Sequence, residues 1–425
     1  MKLPTKILQR ETILMGLLEQ YKGLSRANYI LFVGRLVTCL GSMVMPMMTL
    51  LLNKKFGFSA SQTAFWVIIA GLVALPANII GGQLADRYSK KWMIILSDVV
   101  SIVLYLICGT RELNFIVFIM IIIAGFFQTL EGPAYQALVA RVTPEGKQDK
   151  AFSLLYLGAN LGLMLAPTIA GLLFNNYLWL CFILDGATIA ISTILIFLFV
   201  DENIGKDFAP EETKVPKEAK DTDELKLKDI LAANKGIILF IIAFVLYQGS
   251  YAQFSYLMPL DLTRLHGDMG PTLYGTITSF NCVLVVILTP IATKIVEAKT
   301  NEMKLAMGIL MQVLGFAVFL VCLGKIPGYY IAIALFTIGE ILTVLAEGPY
   351  MTINIPQEFH GRIFGVVGFA DALAAGVVMY NSGWMVDYGM YHMAWIFTIV
   401  VSILALGSAA VLVMKSNRTR LQKMV

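Results

Sequence analysis

The stretch GQLADRYSKK, residues 82–91, is a short charged loop between two long apolar runs. A tight loop of this kind between hydrophobic segments is typical of a cytoplasmic hairpin in a membrane protein. Gly82 allows two helices to approach closely, and Asp86 can accept hydrogen bonds from the exposed amides of a neighbouring helix end. Three bases are expected to hold the loop on the cytoplasmic side: Arg87, Lys90 and Lys91.

The composition excludes a soluble globular protein. Of 425 residues, 58% are hydrophobic and 14% are charged, and the mean hydropathy is +0.76. That is too little polar surface to cover a globule of this size in water, so the chain is expected in a lipid bilayer. The net charge of +4 is small and spread among loops, which gives no support for nucleic-acid binding. The five Cys stand singly in apolar runs and predict neither a disulfide nor a metal site, and no cleaved signal peptide is expected.

Twelve apolar runs are long enough to cross the hydrocarbon layer. They fall near 27–52, 61–85, 92–110, 114–139, 150–174, 177–200, 235–260, 271–296, 303–323, 328–353, 362–385 and 390–414. The pattern predicts an amphipathic segment at 1–26, a six-helix bundle over 27–200, a charged cytoplasmic linker at 201–234, a second six-helix bundle over 235–414, and a cytoplasmic tail at 415–425.

The distribution of Lys and Arg sets the expected orientation. With the N-terminus in the cytoplasm, 26 of the 32 bases fall on inner segments. Because an excess of bases marks the cytoplasmic side, both termini are predicted to be cytoplasmic, in a multi-pass protein of the cytoplasmic (plasma) membrane.

The two halves of the chain resemble each other. Glu131-Gly132-Pro133 recurs as Glu347-Gly348-Pro349, an offset of 216 residues, and Met45-Pro46 recurs as Met258-Pro259, an offset of 213. Two landmarks with nearly one offset indicate a duplicated six-helix unit, which is how transporters build a pseudo-symmetric pair of bundles.

The spacing Gly-x-x-x-Asp-Arg-x-x-x-Lys at 82–91 resembles the loop between the second and third helices of the major facilitator superfamily, with Ser89 where a second Gly is common. The resemblance implies an all-α membrane fold of twelve transmembrane helices in two six-helix bundles. It also implies a central cavity lined by the first, fourth, seventh and tenth helices. The loop would act as a conformational switch together with Asp371, which is expected to begin the eleventh span.

The fifth span has small residues every four positions and a Pro. This pattern is similar to the fifth-helix signature of the drug and proton antiporter branch, the 12-helix multidrug efflux transporters, although Ala166 and Ala170 stand where that branch often has Gly. An ordinary packing seam would look the same. The residues that carry the resemblance are Gly158, Gly162, Pro167 and Gly171.

Ionisable residues inside membrane spans are costly and each suggests a functional site. Arg35 and Glu131 are both expected about 12 Å from the cytoplasmic edge, at 1.5 Å per residue, so an ion pair between them is predicted. Asp98 is expected to pair with a loop base such as Arg87 or Lys91. Asp185 is a weaker candidate.

The repeat places Gln248 opposite Glu347, where the first half has Arg35, so Glu347 is predicted to lack a cationic partner and to carry the proton. Glu340, two turns earlier on nearly the same face, would either hand on the proton or meet a cationic substrate. The predicted proton-coupling set is Glu347, Glu340, Glu131 and Arg35.

The expected cavity walls are aromatic, Met-rich and amide-bearing, which suits varied amphipathic ligands better than a sugar. Met and aromatic residues at helical spacing are also typical of plain packing. The predicted substrate-binding residues are Gln128, Tyr135, Tyr247, Gln248, Tyr251, Asn281 and Tyr350.

These features predict a monomeric secondary transporter that exports lipophilic or cationic small molecules in exchange for protons, with the proton gradient as its coupling ion and no cofactor. A proton-coupled importer of peptides or other nutrients would have the same fold. A lipid flippase or a membrane receptor is a further alternative. An enzyme is not expected, because His266, His360 and His392 lie at span ends or in loops.

Overall fold

The computed structural model describes residues 21–202, 235–356 and 359–424, without the side chains of 360–362 and 418–424. Most of the predicted amphipathic segment (1–26) and of the linker (201–234) therefore lies outside the described residues. The described part is almost entirely helical, which confirms the predicted all-α class.

Fourteen helices of eight residues or more form the described part of the chain. Those of the first half are α1 (Arg26–Gly41), α2 (Ala60–Arg87), α3 (Lys90–Thr110), α4 (Phe115–Val142), α5 (Gln148–Leu163), α6 (Ala166–Leu173) and α7 (Leu178–Phe199). Those of the second half are α8 (Lys235–Tyr251), α9 (Leu257–His266), α10 (Gly270–Val296), α11 (Asn301–Val321), α12 (Ile326–Asn354), α13 (His360–Asp387) and α14 (Tyr391–Met424).

Ten helical stretches in the described part are long and apolar enough to cross a membrane. Twelve spans are predicted, and the difference has two causes. The stretch Lys235–Val296 covers two predicted spans, because short turns join α8, α9 and α10 almost without a break. The first predicted span is interrupted, because α1 ends at Gly41 after 16 residues and helix resumes only at Met48.

The break in the first span recurs in the second half. There α8 ends at Tyr251, a short 3₁₀ turn follows, and α9 begins at Leu257. Pro46 lies within the first break, and Pro259 lies in the first turn of α9, directly after the second break. At both places the proline lacks the N–H that a helix continuing from the preceding residues would need. The duplication seen in the sequence is thus also a duplication of local structure.

The helices pack into two compact units, and each has its own core. The first unit comprises Met1–Met43, Val73–Ala166 and Leu178–Lys217. Its core is formed by aliphatic and small residues of α1, α3, α4, α5 and α7, among them Leu31, Ile94, Ala134, Leu138, Leu154 and Ile196. Small side chains at such contacts let helix backbones approach closely, which is how helices associate in lipid.

The second unit comprises Val44–Leu72, Pro167–Tyr177 and Glu218–Val425. Two segments from early in the chain therefore pack with the C-terminal half. Tyr256 donates its hydroxyl hydrogen to the Ala60 carbonyl oxygen, and Thr49 donates to the carbonyl of Ser255 at 2.8 Å. Tertiary packing therefore brings segments that are not consecutive in the sequence into one compact unit.

Glycines of the predicted fifth-helix signature lie at close helix contacts. A Cβ on Gly162 would come within 2.6 Å of the Leu36 carbonyl oxygen in α1, and a Cβ on Gly158 would lie 2.8 Å from the Phe32 ring. The helix is broken between Leu163 and Ala166, just before Pro167, and beyond the break a Cβ on Gly171 would collide with the backbone of Pro271 in the second unit. The predicted close-packing face therefore exists.

Candidate functional site

Glu340 on α12 is a carboxylate of the second unit that is held by two hydrogen bonds. Its Oε1 accepts a hydrogen bond from the Tyr251 hydroxyl at 3.0 Å, and its Oε2 accepts one from the Asn281 side-chain amide at 2.9 Å. The same amide nitrogen donates to Thr337 at 2.8 Å. Both donors to Glu340 are neutral, so the hydrogen bonds orient the carboxylate without neutralising its charge.

Aromatic rings cluster around Tyr251, one of the two donors to this carboxylate. The Tyr251 ring stacks on Phe336 with centroids 5.0 Å apart, Phe254 lies 5.1 Å from Phe336, and Tyr247 lies 5.9 Å from Tyr251. Ring faces carry partial negative charge and attract cations. The structure thus brings three predicted substrate-binding residues, Tyr247, Tyr251 and Asn281, to Glu340.

Glu347 lies about two turns further along α12 and is half-buried. Within the described residues it forms no ion pair with a Lys or Arg. Its charged neighbour is Asp371 of α13, whose Oδ1 is buried without a hydrogen-bond partner in the described part of the chain. A second acid beside Glu347 is not apparent from the sequence, because nothing in the spacing of α12 and α13 relates the two positions.

The expected position of Asp371 is wrong in detail. It does not begin its span, because α13 starts at His360 and Asp371 lies about three turns into the helix. The hypothesis that Asp371 acts together with the loop at 82–91 requires a residue at the start of the helix. Asp371 lies far from that start.

The other two predicted substrate residues of this unit have different surroundings. Tyr350 stacks on Phe240 with centroids 3.9 Å apart and planes at 5°, inside the core of the unit. Gln248 is half-buried on α8. Tyr350 therefore contributes packing, as aromatic residues at helical spacing often do.

In the first unit, Arg35 and Glu131 do not form the predicted direct ion pair. No contact within 4.0 Å joins them in the described structure, although the Arg35 charge is near enough to act on Glu131. Glu131 instead interacts directly with Asp98 of α3. The predicted pairing of Asp98 with a loop base is also wrong, because Asp98 Oδ2 is 2.6 Å from the Thr193 hydroxyl of α7.

The remaining predicted residues of this unit have separate surroundings. Tyr135 donates its hydroxyl hydrogen to the Leu31 carbonyl at 2.6 Å, and its ring centroid lies 5.8 Å from the Arg35 guanidinium carbon. Gln128 is half-buried. Asp185 accepts from the Met43 backbone N–H at 2.8 Å, where α1 has ended, so its role in the structure includes capping that break.

The loop at 82–91 is a tight connection from α2 to α3, as predicted. Ser89 is the N-cap of α3, with its hydroxyl oxygen accepting from the Trp92 N–H, and Asp86 and Arg87 are exposed. Lys90 and Lys91 form the first turn of α3, so this turn belongs to a helix and not to the loop. Gly82 lies in the last turns of α2 with open space at its Cβ position, so the predicted close approach of two helices at Gly82 is wrong for the described residues.

Sequence reasoning missed Glu202, which follows α7. Its carboxylate accepts from the Ser89 hydroxyl and from the Lys90 N–H at 3.2 Å, and it forms an ion pair with Arg141 at 3.2 Å. Partial burial raises the pKa of Glu202, whereas these hydrogen bonds and the nearby Arg141 charge lower it. The lowering effects together outweigh burial, so the pKa of Glu202 lies below the ordinary value. An acid just past a span end resembles any linker residue, so no sequence signal marks it.

Lys91 completes a reciprocal arrangement. Its Nζ donates to the carbonyl oxygens of Phe197 and Val200 at 2.8 and 2.6 Å, at the C-terminal end of α7. A base at a helix C-terminus and an acid at a helix N-terminus both interact favourably with the helix dipoles. The ends of α3 and α7 therefore cap each other.

Comparison with known proteins identifies the family. The family model for the Major Facilitator Superfamily matches residues 30–379. The chain is 24% identical over 398 residues to a Na(+), Li(+), K(+)/H(+) antiporter of Planococcus maritimus, covering 87% of this chain and 89% of that protein. It is 21% identical over 403 residues to the multidrug resistance protein MdtH of Yersinia enterocolitica, covering 92% and 95%.

Solved structures agree on the fold. The POT family transporter PepTSo superimposes with a TM-score of 0.73 at 14% identity, over 92% of this chain and 98% of that one. The nucleoside transporter NupG superimposes with a TM-score of 0.70 at 14% identity, over 91% and 99%. Likeness at this identity concerns the fold alone. With the family match across most of its length, its apolar helices and its transporter relatives, this chain belongs to the Major Facilitator Superfamily and is a multi-pass membrane transporter.

Proposed function

We propose that this transporter exports lipophilic or cationic small molecules in exchange for protons by alternating access, in the cytoplasmic membrane with both termini in the cytoplasm. The observation that carries the proposal is Glu340, whose charge is held by two neutral donors, Tyr251 and Asn281, inside a group of aromatic rings. A carboxylate without a fixed cation, close to a cluster of aromatic rings, suits an organic cation.

Proton coupling in this proposal uses acids that lack a fixed cationic partner. Glu347 has no ion pair in the described part of the chain, and Asp371 lies beside it. Two nearby carboxyl groups cannot both remain charged in an apolar wall, so protonation and substrate binding can compete for the same negative charge.

Exchange of an inorganic monovalent cation for protons is a second candidate. It is favoured by the name of the antiporter from Planococcus maritimus, which this chain matches over 87% of its length. The likeness to peptide transporters concerns the fold alone and does not favour the importer. A flippase or a receptor has no observation in its favour here.

Transport in sealed vesicles with an imposed proton gradient tests these alternatives. We expect tetraphenylphosphonium to move opposite to the proton gradient. Movement of Na⁺ or K⁺ alone would favour the inorganic exchanger, and peptide uptake along the gradient would favour the importer. Transport of tetraphenylphosphonium at a rate that does not depend on the proton gradient would contradict proton coupling.

The substitution Glu340→Gln tests the site. It keeps the shape and removes the charge, so tetraphenylphosphonium binding should weaken about ten-fold or more, which corresponds to about 1.4 kcal/mol. Binding to purified protein, measured by calorimetry, checks this. Glu112→Gln, at an exposed position between α3 and α4, is the matched control. Equal affinity in both variants would contradict the assignment of Glu340 to the cation site.

A further inference from the structure

The buried acids Asp98 and Glu131 of the first unit are not used by the substrate site at Glu340. Asp98 is 5% exposed and Glu131 is 7% exposed, and Glu131 Oε2 has no hydrogen-bond partner in the described structure. A buried carboxylate oxygen without a partner is costly, so its persistence calls for a ligand that this oxygen binds.

The packing of α3 against α4 explains why the two acids meet. Ser101 donates its hydroxyl hydrogen to the Ala124 carbonyl at 3.2 Å, which fixes the register of these antiparallel neighbours. Asp98 lies one turn from Ser101, and Glu131 two turns from Ala124, both in the direction of the loop at 88–89. Side chains of a helix lean toward its N-terminus, so Asp98 and Glu131 lean toward each other.

The two acids have few hydrogen-bond donors around them in the described structure. Ionised carboxylates only accept hydrogen bonds, so Asp98 and Glu131 can bond to each other only if one of them carries a proton, and two buried carboxylates side by side would otherwise repel each other. The Thr193 hydroxyl has one hydrogen but lies 2.6 Å from Asp98 Oδ2 and 2.8 Å from the Ile189 carbonyl. The described neighbours therefore supply fewer hydrogen-bond donors than the carboxylate oxygens of Asp98 and Glu131 can accept.

The charge balance points the same way. The charged and titratable groups that face the pair are Arg35 and Cys39 of α1 and Tyr135 of α4, while α7 contributes the neutral Thr193. With one proton, the pair carries a single negative charge, which Arg35 offsets. Without a proton, one negative charge of the pair is left without a counter-charge among these groups, which is costly for a buried pair.

We propose that Asp98 and Glu131 form a carboxylic acid–carboxylate pair that holds one exchangeable proton, so that Asp98 is a proton-binding residue of the transport cycle. In the exchange step the O–H bond of the pair breaks and the proton passes to water, so that one positive charge leaves the protein as one cation arrives and the total charge stays the same. This inference rests on the proposed proton coupling and adds the residue and the form in which the proton is stored.

Infrared spectroscopy of purified protein in lipid nanodiscs tests the pair without relying on transport. A shared proton gives one protonated-carboxyl band, and we expect Asp98→Asn and Glu131→Gln each to abolish or shift the same band. Glu112→Gln should leave it unchanged. Survival of an unshifted band in Asp98→Asn would overturn the proposal.

Proton release on addition of tetraphenylphosphonium, followed with a pH dye in weak buffer, tests the role in exchange. Wild-type protein should release a proton for each cation bound, whereas Asp98→Asn should still bind the cation with little release. Full release by Asp98→Asn would overturn the assignment. If wild-type protein releases no proton while the infrared band changes as expected in the variants, the proposed proton coupling is contradicted and the proposed acid pair is supported.

A milder variant covers the case in which Asp98→Asn does not fold. Thr193→Val keeps the shape of the side chain and removes the hydroxyl that contacts Asp98 Oδ2. It should shift the shared infrared band, because Asp98 Oδ2 loses the hydroxyl that donates to it. An unshifted band in Thr193→Val would contradict the geometry on which the pair depends.

Discussion

At the scale of single residues, Glu202 shows how one carboxylate joins three elements. It accepts hydrogen bonds from Ser89 and from the first backbone amides of α3, and it pairs with Arg141 of α4. These contacts are stronger when Glu202 is ionised, which is why its pKa lies below the ordinary value.

The substitution Glu202→Gln should therefore destabilise the protein in a pH-dependent way. A depressed pKa in the folded state gives stability that is present above the ordinary pKa of Glu, about 4.3, and is lost as the pH falls through the lower folded-state value. We expect a loss of about 1 kcal/mol at neutral pH. Thermal unfolding in detergent, recorded from pH 7 downward, checks this.

The variant and the wild type should converge in stability once the pH is below the lowered folded-state pKa of Glu202. Glu145→Gln, at a neighbouring exposed position, controls for the loss of any acid near the loop. If the stability of the variant stayed below that of the wild type by the same amount at every pH, the shape of the side chain at position 202, and not its ionisation, would be what matters.

At the scale of secondary-structure elements, Asp387 at the end of α13 holds the start of α2. Its carboxylate accepts hydrogen bonds from the backbone N–H of Ala60 and Ser61, at 2.6 and 3.0 Å, and from the hydroxyls of Ser59 and Ser61. The first amides of a helix have no partner within the helix, so an acid from a neighbouring element can cap them.

Removing this cap with Asp387→Ala should lower the stability of the second unit by about 1 kcal/mol, the usual value of an N-cap. Thermal unfolding monitored by tryptophan fluorescence is a suitable measurement, because Trp66 lies in α2. Asp268→Ala, also exposed, is the control. Equal melting temperatures for the two variants would mean that the cap contributes nothing.

At the scale of the whole molecule, the compact units do not coincide with the two halves of the chain. The second unit takes Val44–Leu72 and Pro167–Tyr177 from the first half. Helix contacts inside that unit depend on these segments, as the Thr168 hydroxyl, 2.7 Å from the Ser279 hydroxyl, illustrates.

A protein cut between residues 217 and 218 should therefore behave asymmetrically. The C-terminal fragment expressed alone lacks two packing segments and should aggregate or be degraded, whereas co-expression with the N-terminal fragment should restore a complex that elutes like the intact protein. Size-exclusion chromatography after detergent extraction measures this. A monodisperse C-terminal fragment on its own would contradict the dependence.

The sequence alone determined the membrane class, most of the helical spans, the charged loop within residues 82–91, the repeat and the family, but it predicted the spans at 27–52 and 235–260 as unbroken. Each of these depends on hydropathy, on loop charge or on Gly and Pro, which act over a few neighbouring residues. Only the tertiary structure decided that Glu131 meets Asp98 and not Arg35, that Asp371 lies beside Glu347, and that Glu202 caps α3. Those pairings depend on the rotation and register of helices distant in sequence, and the spacing of residues along one chain leaves both undefined.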